Sequence, residues 1–142
     1  MKKLLIGLFL VSSVLAFSER VVKGDKAYAD DKGIVYVEGE KTPYTGVIEG
    51  YDAQGKLEYE TVYVDNMREG LSKKYYPSGK LLSEVIFKKD KEEGILKAYY
   101  ESGKPQGEIP YKNGLIHGTV KRYDENGKVI EQVTYKDGKE VK

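Results

Sequence analysis

Residues 70–93 read GLSKKYYPSGKLLSEVIFKKDKEE, and this stretch decides the fold. It opens on Gly70, runs from Leu71 to Tyr76, and turns at Pro77-Ser78-Gly79-Lys80. A second extended stretch, Leu81 to Lys88, ends at the polar pair Lys89-Asp90. Glycine at the third place of the first turn supplies the positive φ needed by a type I turn closed by a glycine bulge. Two runs of strand-forming residues, each ended by a turn, spell a β-hairpin.

The same pattern recurs on both sides. Gly46, Gly70, Gly94 and Gly118 lie 24 residues apart, as do Gly55, Gly79, Gly103 and Gly127, each followed by lysine (Lys56, Lys80, Lys104, Lys128). Tyr51, Tyr75, Tyr99 and Tyr123 form a third column, and Tyr63, Phe87, Tyr111 and Tyr135 a fourth. The second turns are Asp65-Asn66, Lys89-Asp90, Asn113-Gly114 and Asp137-Gly138, and the last two are favoured hairpin dipeptides. Four columns in one register mark a tandem array. The expected fold is all-β: a single-layer antiparallel meander of four 24-residue hairpins, at 46–69, 70–93, 94–117 and 118–142. The 16 glycines interrupt every run long enough for a helix.

Side chains alternate between the faces of a strand. Counted from each repeat's first glycine, odd positions collect Val47, Leu71, Ile95 and Thr119, both aromatic columns, and Thr61, Val85, Ile109 and Val133. Even positions hold Glu60, Glu84, Glu108 and Gln132, and Val64, Lys88, Lys112 and Lys136. This count predicts one apolar, aromatic face and one wet face, with Tyr76 and Tyr100 on the wet side beside Lys74 and Ala98.

The leading segment has a different character. Lys2 and Lys3 precede an apolar run from Leu4 to Leu15, and Val14 and Ala16 sit three and one residues before a cut ahead of Phe17. Residues 1–16 are therefore expected to be a secretory signal, too short to span a membrane at roughly 20 residues. Residues 17–43 fall outside the repeat register and read as an N-terminal cap with a strand at Ile34–Val37. The chain has no cysteine, which excludes disulfides, thiolate metal sites and lipid attachment through cysteine. Loss of Lys2 and Lys3 leaves 22 basic residues against 23 acidic, a charge of −1. Such a surface does not attract nucleic acid or anionic membrane electrostatically, and no stable membrane insertion is expected after cleavage.

Tyr44-Thr45-Gly46, Tyr99-Tyr100-Glu101-Ser102-Gly103-Lys104, Tyr111-Lys112-Asn113-Gly114 and His117-Gly118 resemble the MORN repeat variant family. The resemblance covers about residues 34–138. Similar proteins carry names borrowed from phosphatidylinositol phosphate kinases or from antitoxins, but no phosphate-binding glycine loop or His-Arg-Asp catalytic motif is present. The resemblance implies a binding or scaffolding module with no cofactor and no catalytic residues.

The residues themselves agree. His117 is the single histidine and has no identifiable catalytic partner. Glu60, Glu84 and Glu108 recur with the period, as a solvated ladder would, rather than as one pair of glycosidase acids. The candidate partner-binding residues are Tyr51, Tyr75, Tyr99, Tyr123, Tyr63, Phe87, Tyr111 and Tyr135, with Tyr76 and Tyr100. The expectation is an exported, non-enzymatic, protein-binding or scaffolding module in the periplasm, at the cell surface or outside the cell. Its partner is a protein, a second copy included. A glycan-binding repeat and an exported immunity protein are the alternatives.

Overall fold

The computed structural model describes residues 20–30 and 34–142; the expected signal segment lies outside them. Thirteen strands follow in order: β1 (Val21–Lys23), β2 (Ala27–Ala29), β3 (Val35–Val37), β4 (Gly46–Tyr51), β5 (Leu57–Val64), β6 (Met67–Tyr75), β7 (Leu81–Lys88), β8 (Lys91–Tyr99), β9 (Pro105–Lys112), β10 (Leu115–Ile116), β11 (Gly118–Tyr123), β12 (Val129–Lys136) and β13 (Lys139–Glu140). Strands β4 to β13 form one antiparallel meander in chain order, with β10 paired to β9. β1 adds a parallel edge to β4, and β2 and β3 make a separate two-stranded hairpin. The single-layer meander is as expected; the parallel edge strand is not foreshadowed by the repeat.

Both turns behave as their residues dictate. In the first, Gly79 takes φ 83° and donates its N–H to the Tyr76 carbonyl at 2.8 Å. In the second, all four residue pairs lie at positive φ, including Lys89 (49°) and Asp90 (66°). This is the type I′ geometry that matches strand twist. Neighbouring repeats hold the less favourable pairs in place. The backbone N–H of Lys89 reaches Glu69 Oε2 at 2.7 Å, and Asp90 Oδ1 accepts from the Arg68 backbone N–H at 2.9 Å. Thr45, Glu69 and Glu93 occupy one place, and each accepts the N–H that starts the second turn some 20 residues on. His117 takes the same place in the last repeat, its Nδ1 3.0 Å from Asp137 Oδ1 and 3.4 Å from the Asp137 N–H.

One sequence expectation is overturned: the two aromatic columns do not share a face. Tyr75 pairs with Leu81, but Lys74 pairs with Ser83, so Leu82 is an extra, bulged residue. One inserted residue reverses which side chains share a face from that point on. Leu71 therefore stands beside Ile86, Ser72 beside Val85, and Lys73 beside Glu84. The Tyr75 column lies with the glutamates. The Phe87 column lies on the other face with Val85, and so do Lys74 and Ala98.

We call the first the ladder face. Its middle row runs Glu49, Glu60, Lys73, Glu84, Lys97, Glu108, Lys121, Gln132 across eight successive strands. From Glu60 to Lys121 the charge alternates at every strand, about 4.8 Å apart. The glutamates, which the sequence count placed about 9.6 Å apart on the same spacing, are separated by lysines. The other face carries the N-terminal cap. Val37, Tyr44 and Ile48 form the buried core there, with Val22, Ala27, Val35, Tyr59 and Tyr63 packed around them.

Candidate functional site

The cap face carries an unbroken row of uncharged, mostly apolar side chains, while the ladder face exposes Leu71, Ile86 and Ile95 beside its charged row. Its middle row is Ile48, Thr61, Ser72 and Val85, continued by Leu96, Ile109, Val120 and Val133. One flank holds Tyr63, Phe87, Tyr111 and Tyr135. The opposite flank runs Gly50, Tyr59, Lys74, Ser83, Ala98, Gly107, Arg122, Glu131, and is short at β4 and from β7 to β9.

The cap covers the start of this strip. Tyr44 is fully buried, meets Tyr63 edge-on with ring centroids 6.4 Å apart, and donates its hydroxyl to the Val47 carbonyl at 2.8 Å. Arg20 stacks on the Tyr44 ring, 5.0 Å from its centroid, and pairs with Glu40. Tyr59 crosses the sheet over Gly50, whose missing Cβ makes the approach possible. Beyond the cap, Arg68 lies 4.0 Å over the Phe87 ring and is held there by Asp90, leaving Phe87 7% exposed.

Two concavities follow along the strip. A cleft of about 510 Å³ lies between Tyr63 and Phe87 on one side and Tyr59, Lys74 and Ser83 on the other. A drier pit of about 260 Å³ opens at Ala98 and Gly107, walled by Ile109, Val120, Val133 and Tyr135. The Arg122–Glu131 ion pair, 3.0 Å long, stands at its rim. Burial, and secondarily Glu92, pushes the Tyr111 hydroxyl above its ordinary pKa. The phenol therefore stays neutral beside this apolar strip.

The remaining aromatic candidates are tied into the scaffold. Tyr75, Tyr99 and Tyr123 donate their hydroxyls to Glu60, Glu84 and Glu108 of the preceding repeat at 2.9, 2.8 and 3.1 Å. Tyr51 reaches Glu49 of its own strand. Burial, then the Glu84 bond, pushes Tyr99 up to about 12. Burial opposes ionisation of Glu60, but the bonds from Lys73 and Tyr75 outweigh it and hold the carboxylate below its ordinary value. Tyr76 and Tyr100 donate to the carbonyls of Tyr99 and Tyr123 at 2.8 and 2.6 Å, clamping each first turn to the next repeat. Sequence reasoning missed the Lys73, Lys97 and Lys121 column. Its 24-residue recurrence is visible in the chain, but its place opposite the glutamates needs the strand register.

Among the described residues no cluster of three His, Cys, Asp or Glu side chains is arranged to hold a metal ion, and no helix is long and apolar enough to cross a membrane.

A single-layer sheet of successive hairpins with a repeated cross-strand row on each face defines a tandem β-hairpin repeat protein. The chain belongs to the MORN repeat variant family, whose model matches residues 44–65, 68–89, 92–113 and 116–137. Each match begins two residues before a repeat's first glycine. The family is one of repeat modules, not a known enzyme family. Comparison with curated proteins found no match.

Proposed function

We propose that this chain is an exported, non-enzymatic binding module that holds a protein partner on its cap face. One observation carries the reading. The chain covers the first part of that face with its own Val35, Val37 and Tyr44, and no described segment covers the continuation through Leu96, Ile109, Val120 and Val133. An apolar strip of this kind marks an interaction site on a soluble surface. Of the aromatic columns, Tyr63, Phe87, Tyr111 and Tyr135 flank the strip, whereas Tyr51, Tyr75, Tyr99 and Tyr123 stiffen the opposite face. Charge on the strip should abolish docking. Leu96→Glu is expected to lose a protein captured from the cell envelope, and Ile95→Glu, which points to the ladder face, to retain it. Equal retention by both variants would refute the assignment of the face. Export rests on Lys2-Lys3, the Leu4–Leu15 run and Ala16, and N-terminal sequencing of the protein made in its own cells tests it: a first residue of Phe17 is expected.

A further inference from the structure

We infer that the partner seated on the cap face is a second copy of this chain, packed face to face about a two-fold axis that crosses β9 at Ile109. The inference rests on the reading of the cap face as a docking surface and adds its occupant. Self-complementarity carries it. On β9, Gly107, Ile109 and Tyr111 point to the same face: a glycine, a branched residue and a ring in sequence. A two-fold axis lying across the strands through Ile109 exchanges the two flanks of the strip. It sets Tyr111 of each copy over Ala98 and Gly107 of the other, where the 260 Å³ pit lies.

On β7 and β9 the two flanks are unequal in the required way. Phe87 and Tyr111 stand on one side and Ser83 and Gly107 on the other, so under this rotation each ring meets a small residue on the same strand of the mate. An axis along the strands would instead set rings against rings and leave the pits empty.

Charge and area agree. From β7 to β9 the middle row and the short flank carry no charge: Val85, Leu96 and Ile109, then Ser83, Ala98 and Gly107. Lys74 on β6 and Glu131 on β12 lie on the two outer strands of this surface, and Arg122 on β11, next to Gly107, is neutralised by Glu131 at 3.0 Å. Six strands from β6 to β12 span about 29 Å, and three rows about 20 Å, so each copy contributes about 600 Å² and the pair about 1,200 Å². That is the lower bound of specific protein interfaces. Two apolar sheet faces stacked about 10 Å apart are an ordinary β-sandwich.

Sedimentation equilibrium of the mature chain tests the inference. A dimer is expected. Ile109→Lys should raise its dissociation constant about 30-fold or more, because the lysine would be buried without a partner. Ile95→Lys on the ladder face should leave it within about 3-fold, as a surface change does. Ala98→Arg, at the floor of the pit, is a second disrupting variant should Ile109→Lys unfold. The chain has no cysteine, so single substitutions report orientation. Gly107→Cys and Tyr111→Cys chains, mixed, should cross-link to each other through a short bis-maleimide more than either does to itself. A monomer at about 100 µM, well above the micromolar dissociation constants typical of weak interfaces of this size, overturns the inference. So does a dimer unmoved by Ile109→Lys and Ala98→Arg, or one in which 107–107 links dominate. A monomer that still captures a different protein in a Leu96-dependent way overturns the second copy while leaving the docking face standing. A monomer whose capture ignores Leu96 overturns both.

Discussion

A methyl group on Gly50 should unseat Tyr59. The two residues pair across β4 and β5, and an added Cβ would lie 2.0 Å from Tyr59 Cε1 and 2.3 Å from Cζ. No carbon tolerates that approach, so the ring must leave the cap-face cluster. The backbone itself offers no resistance, because Gly50 is not among the residues at positive φ. Alanine in place of glycine in an extended strand favours folding by about 0.5–1 kcal/mol when nothing is in the way. Displacing a packed ring costs about 1–3 kcal/mol, which leaves Gly50→Ala less stable by about 0–2.5 kcal/mol. In a Tyr59→Ala background the obstruction is gone, and the same substitution should stabilise by about 0.5 kcal/mol. Urea unfolding of the four chains of this cycle, followed by circular dichroism, isolates the coupling between the two residues. Comparing the slopes ensures that midpoint shifts report stability rather than lost cooperativity. Gly107→Ala is the matched control, since its Cβ meets only the Lys121 carbonyl at 3.2 Å. A Gly50→Ala penalty of equal size in both backgrounds would refute the packing argument.

Four further outcomes follow from the same contacts. Tyr99→Phe removes the hydroxyl that Glu84 accepts and should cost about 1 kcal/mol by urea unfolding. With Tyr99 raised from 10.0 to about 12 in the fold, its contribution is intact below pH 10 and is lost as pH rises toward 12. Spectrophotometric titration should show a phenol ionising late that is missing from Tyr99→Phe. Glu60 is held below its ordinary 4.5, so its contribution is present above that pH and disappears as pH falls through its folded value; Glu60→Gln should flatten the acid limb of a stability–pH curve. At the second turn, Lys89→Asn should raise the thermal midpoint, because asparagine tolerates φ 49° better than lysine. Asp90→Gly should lower it despite glycine's greater freedom, because Asp90 Oδ1 holds both the Arg68 backbone and its guanidinium.

The repeat was legible because its signals are local. Gly79 with Lys80, and Asn113 with Gly114, specify turns within four residues of chain, and the interval between them sets strand length. The turn at Lys89-Asp90 was harder to read, since neither residue favours positive φ. Its geometry depends on Glu69 and Arg68, some 20 residues away. Tyr76 and Tyr100 read as surface rings, yet their hydroxyls bridge to the next repeat. The cap was legible as a break in the period, but not its docking on Ile48, Tyr59 and Tyr63. Nothing in residues 20–43 repeats, so no column could place them.

By itself the sequence determined the hairpin, its period, the number of repeats and the absence of any disulfide framework, because turn chemistry and strand alternation act over a few residues. The tertiary structure decided which side chains share a face. One bulged residue in each repeat, Leu82 among them, reverses the count beyond it and divides the two aromatic columns between opposite sides. Bulges are set by hydrogen-bond register between strands, and register depends on a partner strand that a linear count cannot see. The same register turned an apparent column of like charges into an alternating row, and left an apolar row flanked by rings on one side and, from β7 to β9, by Ser83, Ala98 and Gly107 on the other.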